Sequence, residues 1–354
     1  MGKRVLVTGH TGFKGSWLSL WLSAMGADVF GYALSPPTRP SLFEEAAVAG
    51  VIDSTIGDVR DLESLLAAVE KAGPEIVFHM AAQSLVLRSY EDPVETFATN
   101  VLGTVHVLEA VRRARSKCAV VNVTTDKVYA NDGRQQGYRE YDPLGGRDPY
   151  SSSKSCAELV ASAYRRSFFD VEEPPAVKLA SARAGNVIGG GDWTPGQLLP
   201  DVVAALERGE RVVLRHPDAV RPWQHVLDCL WGYITLAVRL SSDDDVSDGW
   251  NFGPPLTDAR TVADVVDVIS HRYGSSTGWA QDSVRHAHEE SELRLDAQKA
   301  RDELGWRTRL SFDEALEWTA EWYQEHARGA SARELCSMQI QRYRELVGAD
   351  TDTG

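Results

Sequence analysis

Two short stretches hold the residues best suited to chemistry. "TTDKVY" (124–129) follows the apolar run Val120–Val123 and sets Thr125, Asp126 and Lys127 side by side. A buried strand that ends this way delivers a hydroxyl, a carboxylate and an amine to the edge of a sheet. "YSSSK" (150–154) puts Tyr150 and Lys154 four residues apart, hence on one face of a helix. An ammonium beside a phenol favours the phenolate and is expected to draw the Tyr150 pKa towards neutrality. A phenolate near a nicotinamide can take a proton from an alcohol while hydride leaves the carbon. Such a pair also occurs on solvated helices, so it carries weight only beside a dinucleotide site.

"TGHTGFKG" is the candidate for that site. Gly9, Gly12 and Gly15 follow a strand-like run and open a helix. Small residues there let the backbone approach a pyrophosphate, whose charge the helix N-terminus stabilises. A tight packing turn is the competing reading of the glycines alone. The second strand of such a unit normally ends in an acid for the adenosine ribose. "GYALSPPTRP" offers Tyr32, Ala33 and Ser35 there but no carboxylate, with Arg39 close by in sequence. The residues therefore leave NAD and NADP both open. Asp58 in "GDVRD" either faces the adenine or caps a turn.

These stretches must be positioned by alternating elements. Strands are predicted at 4–9, 27–34, 75–82, 118–125 and 176–185, with helices at 16–26, 95–114 and 151–169. Strand–helix alternation implies βαβ units in a parallel, doubly wound α/β sheet. After about residue 186 the pattern loosens into the Gly- and Pro-rich loop "VIGGGDWTPGQLLP" and shorter elements. A last helix is predicted at 311–329, with Ala315, Leu316, Trp318 and Trp322 as a packing stripe, and the final "ADTDTG" is expected to fray.

With 354 residues, the chain has volume for one large or two smaller domains. A net charge of −14 argues against a general nucleic-acid binder, which needs a basic face. Four scattered cysteines show no ligand spacing, so reduced thiols and no metal site are expected. No charged-then-apolar leader precedes the first strand and no apolar run is long enough to cross a membrane. A soluble cytoplasmic protein is expected.

Over nearly its whole length the chain resembles the extended short-chain dehydrogenases/reductases: "TGHTGFKG", "HMAAQS", "NVLGT", "TTDKVY", "YSSSK", "ARAGNVIGGGDW", "RPWQHV" and "WNFGP" occur in that family's order. Within it the chain is most similar to sugar-nucleotide 4,6-dehydratases acting on CDP-glucose, through "GHTGFKGSWL", "GYREYDPLGGRDPYSSSKSCAEL" and "VRPWQHVL". The resemblance implies a Rossmann-type domain over 1–185, with later segments returning to it, and a smaller C-terminal α/β substrate-binding domain over 186–354. It implies bound NAD, held by Gly9, Thr11, Gly12, Phe13, Lys14, Gly15, Asp58, Val59, Ala81, Ala82, Gln83, Asn100, Tyr150 and Lys154. A homodimer through helices near 100–113 and 150–166 goes with it.

In that family the hexose is oxidised at C4, loses water across C5 and C6, and is reduced at C6. By resemblance Thr125 bonds the C4 oxygen and Asp126 protonates the departing C6 hydroxyl. Lys127 stands where many relatives carry a glutamate base. It serves as a base only if its proton affinity is depressed; otherwise it orients the substrate or pairs with Asp126, and Glu140 or Tyr129 becomes the candidate base. Asn186 and Arg221 match holders of the diphosphate, and an Arg fork suits phosphate oxygens. Ser84, His225 and Asn251 fall on the substrate side, although His225 also reads as a core histidine. Trp193 and Trp223 either stack on a base or pack. A 4-epimerase or reductase on the same scaffold is the main alternative, and a non-catalytic dinucleotide sensor a further one.

Overall fold

A computed structural model describes residues 2–115, 117–171, 176–242, 245–284 and 290–351. Seven parallel strands form the central sheet: β1 (Arg4–Thr8), β2 (Asp28–Ala33), β3 (Asp53–Ile56), β4 (Ile76–His79), β5 (Cys118–Val123), β6 (Val177–Ala184) and β7 (Gly249–Phe252). Their order is β7-β6-β5-β4-β1-β2-β3, a doubly wound Rossmann-type arrangement. Strands covered on both faces read as continuous apolar runs, which is why β1, β4 and β5 stood out in the sequence. The four-residue edge strand β3 is only half buried and gave no such signal.

One face of the sheet packs on α1 (Phe13–Ala24); the other packs on α2 (Leu62–Ala72), α3 (Gly103–Ala114) and α4 (Pro149–Tyr164). Asp61 caps α2 and Gly73 ends it in the left-handed conformation. The helix expected at 95–114 is broken: a turn at Pro93–Phe97 and a π-helical stretch at Ala98–Leu102 precede α3. The helix expected at 151–169 likewise ends in a π stretch, Arg165–Phe169. Such bulges re-aim side chains and often mark functional ground.

Beyond β6 come short ladders: Val187–Ile188 with Gln224–His225, Val220–Arg221 with Arg260–Thr261, and Val212–Leu214 with Trp279–Gln281. The chain then returns to the sheet. A helix at Val226–Ser241 covers β5 and β6, and β7 extends the sheet beyond β6. In the helix Phe312–Ala327, all four members of the expected apolar stripe are buried. It is not the last helix. Another runs from Ala332 to Thr351, burying Leu335, Cys336, Ile340 and Tyr343. Residues 349–351 of the expected frayed end are thus helical, and 352–354 lie outside the described residues.

Candidate active site

The sheet order reverses between β1 and β4, and parallel α/β sheets bind ligands beyond their strand ends at such a point. Register brings Thr8 opposite His79, His79 opposite Asn122, and Val123 opposite Ala182. The segments that follow these residues line a cleft of about 970 Å³.

The glycine loop forms one wall. Gly9 has φ +77°, and a Cβ there would lie 2.7 Å from the Ala81 nitrogen. A Cβ on Gly15 would lie 2.2 Å from the Gly9 oxygen. Both glycines are therefore demanded by packing. Gly12 is different: its Cβ would meet only the Gly9 oxygen at 3.4 Å, so its free side is the cleft. Gly12 is also the N-cap of α1, whose first turn contains no acid and carries Lys14. Unpaired amides and a lysine at a helix N-terminus suit an anion. Asp58 lines the same cleft and is clasped by Arg60 through bonds of 2.5–3.0 Å, which holds its carboxyl below the ordinary range. Leu34 and Ser35, at the end of β2, line the cleft; Arg39 does not.

Asp148 caps α4 by accepting from the Ser151 amide at 2.9 Å, and Pro149 fills the first helical position. This start places Tyr150 in the first turn and Lys154 one turn on, both buried and both lining the cleft. Lys154 Nζ donates to the Val123 carbonyl at 3.0 Å. Burial, reinforced by the positive charge of Lys14 and opposed by Glu158, pushes its ammonium down to about 7. The lysine is thus a weakened cation, and the expected fall of the phenol is not seen. Burial holds the Tyr150 pKa above its ordinary value despite a hydrogen bond with Thr125, with Asp126 and Asp148 adding to the rise.

The lysine yields a stability prediction. Between about pH 7 and 10.5 the folded chain holds fewer protons at Lys154 than the unfolded chain, so stability from this group rises with pH. Lys154→Met removes that slope. Its melting temperature relative to wild type should be higher at pH 7 than at pH 10; a gap independent of pH would contradict the shift.

Beyond β5, Thr125 Oγ1 donates to Asp126 Oδ1 at 2.9 Å, so its hydroxyl stands between the phenol and the carboxylate. Asp126 is wholly buried and Oδ2 has no hydrogen-bond partner. A Cβ on Gly185 would sit 1.9 Å from that Oδ2, so only glycine leaves room for the carboxylate. Lys127 lines the cleft with 22% of its side chain exposed, and its Nζ lies 3.8 Å from Asp126 Oδ1.

A buried polar network underlies these groups. Thr124 donates to Glu158 Oε1 at 2.6 Å, and Glu158 pairs with Arg183 at 2.9 Å. Arg183 donates to the Tyr129 hydroxyl at 2.8 Å, which in turn donates to Asn251 Oδ1 at 2.7 Å. Glu140 Oε1 accepts from the Asn251 amide at 2.9 Å. Tyr129 and Glu140, the substitute bases considered above, are thus committed to the network and do not line the cleft.

The profile of the GDP-mannose 4,6 dehydratase family matches residues 6–319. The chain belongs to that family. A CDP-glucose 4,6-dehydratase from Salmonella typhimurium is 53% identical over 331 residues, covering 93% of this chain and 92% of the relative. A dTDP-glucose 4,6-dehydratase from Streptomyces venezuelae, solved with NAD and TYD bound, is 28% identical with a TM-score of 0.78, covering 91% of this chain and 97% of that one. A UDP-glucose 4-epimerase from Thermotoga maritima shares the fold at 21% identity and TM-score 0.78, covering 91% and 99%. This 4,6-dehydratase family member therefore has a scaffold that epimerases also use, and chemistry must be argued from side chains.

The cleft gathers most of the residues singled out from the sequence: Thr125, Asp126, Lys127, Tyr150 and Lys154, the glycine loop, Asp58, Val59, Ala81 to Ser84, Asn186 and Arg221. Asn186 adopts φ +32° and leaves its Oδ1 buried without a partner. Three expected contacts lie elsewhere. Asn100 does not line the cleft; it clamps Gln83 through backbone bonds of 2.9 Å at both its nitrogen and oxygen, and reaches Ser153 at 2.8 Å. His225 is buried in the core and does not line the cleft. It caps the helix Val226–Ser241 between Trp17 and Trp318, and burial pushes its pKa down to about 3. Asn251 is spent on Tyr129 and on the carbonyls of Tyr138 and Asp296 at 2.9 and 3.0 Å. Trp193 packs on Trp322 and His326, whereas Trp223 lines the cleft. Arg215 also lines it and was not singled out in the sequence.

Proposed function

We propose that this chain converts CDP-glucose to CDP-4-keto-6-deoxyglucose with tightly held NAD. The observation that carries the reading is the buried Asp126 carboxylate, in contact with Thr125 in the cleft that Tyr150 lines. Oxidation or epimerisation at C4 needs a tyrosine and a lysine; only loss of the C6 hydroxyl needs an additional acid beside them. The glycine loop fits a dinucleotide pyrophosphate, through the open side of Gly12 and the uncapped start of α1. Residues 1–185 then serve mainly the dinucleotide, and those after 186 mainly the sugar nucleotide.

NAD+ held by the glycine loop would supply a hydride acceptor and a positive charge. Tyr150 takes the C4 hydroxyl proton, and Lys154 orients it from the Val123 carbonyl. Thr125 bonds the C4 oxygen. The C4 ketone acidifies C5–H; with the proton of the Asp126–Lys127 pair resting on Asp126, the neutral Lys127 amine takes the C5 proton while the Asp126 carboxyl gives its own to the leaving C6 oxygen. Asn186 and Arg221 hold the diphosphate.

The direct assay is incubation with CDP-glucose, followed by the alkaline absorbance of the 4-keto product. Formation of that product with no net change in dinucleotide supports the reading; a 4-epimer in its place would defeat it. Lys127 has its own test. Lys127→Met should lose exchange of the C5 proton with solvent deuterium and fall about 10²–10⁴-fold in kcat. Exchange at the wild-type rate would remove Lys127 as the base, leaving it an orienting role that raises KM instead.

The working form is proposed to be a cytoplasmic homodimer. Val94, Phe97, Leu102, Leu159 and Phe168 are exposed on the segments around α3 and α4, where a second copy would cover them. All four cysteines are free thiols, as suits a reducing compartment. Among the described residues no helix is long and apolar enough to cross a membrane.

A further inference from the structure

We infer that Glu158 is a positioning residue for the redox step: gripped by Arg183, it fixes the helix of Tyr150 and Lys154 to the end of β5 and sets a negative charge behind the lysine. The inference rests on the assignment of C4 oxidation to Tyr150 and Lys154 above. Lys154 and Glu158 stand one turn apart on α4, and each takes one of two consecutive residues at the end of β5. Lys154 Nζ donates to the Val123 carbonyl at 3.0 Å, and Glu158 Oε1 accepts from the Thr124 hydroxyl at 2.6 Å. Thr125 and Asp126 follow directly, so these two bonds set the helix of the phenol against the segment of the acid. The neighbouring strands hold the carboxylate in turn. The Thr124 amide donates to the Ala182 carbonyl of β6 at 2.9 Å. Arg183, next along β6, grips Glu158 with both arms of its fork, Nε to Oε1 at 2.9 Å and Nη2 to Oε2 at 3.1 Å. On β7, a Cβ at Gly249 would lie 2.6 Å from Arg183 Nη2, so the glycine leaves room for the fork.

Only 6% of the Arg183 side chain and 5% of that of Glu158 are exposed, and neither residue lines the cleft. Desolvation offsets most of the attraction in a buried ion pair, so net stability is a weak reason for this one. What it supplies is placed charge. Burial and then Lys14 push the Lys154 ammonium down, and Glu158 is the group that opposes them. The ionisable groups facing Tyr150 and Lys154 come from several elements: Lys14 on α1, His79 on β4, Asp126 beyond β5, Asp148 and Glu158 on α4, and Tyr233 on the helix Val226–Ser241. His79 is neutral, pushed down to about 3 by burial and by Lys154. Asp126 and Asp148 act on the phenol, and Glu158 acts on the lysine. Taking away a carboxylate makes every neighbouring proton easier to lose. Without Glu158 the ammonium gives up its proton at lower pH, and any effect on the phenol has the same sign.

The test is the pH dependence of kcat/KM for CDP-glucose in wild type, Glu158→Gln and Thr124→Val, with melting temperatures as the control for folding. Glutamine keeps an acceptor for Thr124 and Arg183 but removes the charge. Its profile should move about one pH unit lower, so that the deficit against wild type grows with pH to about 10-fold on the alkaline side. Thr124→Val leaves the charge in place and loosens its tie to β5, so its profile should fall about 10-fold without moving. If Glu158→Gln does not fold because Arg183 is left unpaired, Glu158→Gln with Arg183→Met removes both charges and should still move the profile lower. A Glu158→Gln profile that drops without shifting would mark a structural role only and overturn the inference. So would an equal shift in Thr124→Val, or undiminished activity there. A wild type that makes a 4-epimer, or that prefers UDP- or dTDP-glucose, defeats the CDP-glucose reading but leaves this comparison in force on the substrate it uses, because each of those reactions begins with the same oxidation.

Discussion

Asp126→Asn should stop the reaction half-way. Asparagine keeps the shape of the aspartate and the bond from Thr125 but cannot give a proton to the C6 oxygen. Oxidation at C4 relies on Tyr150 and Lys154 and should survive. The enzyme should therefore fill with reduced dinucleotide and oxidised sugar after substrate is added, while turnover falls about 10²–10⁴-fold, or about 3–5 kcal/mol in the barrier. The check is the absorbance of reduced dinucleotide on the enzyme in a single turnover, beside the slow release of 4-keto-6-deoxy product. Gly185→Ala reaches the same end from outside the acid, because the new methyl would collide with Oδ2 and force the carboxylate from its place. Normal turnover in Asp126→Asn would take the acid role from Asp126.

Tyr150→Phe should fail earlier. The phenylalanine still fills the buried site in the first turn of α4, and dinucleotide and sugar nucleotide should both bind. With no phenol to take the C4 proton, no reduced dinucleotide should form and turnover should fall about 10²–10⁴-fold. The two variants thus separate the steps: one accumulates reduced dinucleotide and the other never makes it. Wild-type turnover by Tyr150→Phe would exclude the phenol. Burial holds Tyr150 above its ordinary pKa, so it needs positive charge from its bound partners to ionise near neutrality.

How far the sequence led depends on what kind of contact each residue makes. The glycine loop, Thr125 to Lys127 and Tyr150 with Lys154 all follow buried parallel strands or open a helix, and local pattern locates such positions. Asn251 and His225 also sit at strand ends, in "WNFGP" and "RPWQHV". Whether a side chain there faces the cleft or the core is set by partners far away, Tyr129 and Asp296 for one, Trp17 and Trp318 for the other. Local spacing contains none of that. Asn100, in the π-helical stretch, acts on the Gln83 backbone and Ser153 rather than on the cleft. The space for Asp126 depends on Gly185, at the end of the neighbouring strand. Arg215 lies in "LRHPDAVR", whose signal is that of an ordinary surface turn. The depression of Lys154 could not be read either, since it follows from burial and from Lys14 in the glycine loop.

The central claim is that one enzyme molecule oxidises C4, eliminates water and reduces C6 with the same dinucleotide. It is tested most directly with CDP-glucose carrying deuterium at C4. The product should be CDP-4-keto-6-deoxyglucose with that deuterium on C6, and the bound dinucleotide should end in the oxidised form in which it began. Product whose C6 carries only solvent-derived hydrogen, or deuterium found in released reduced dinucleotide, would contradict it.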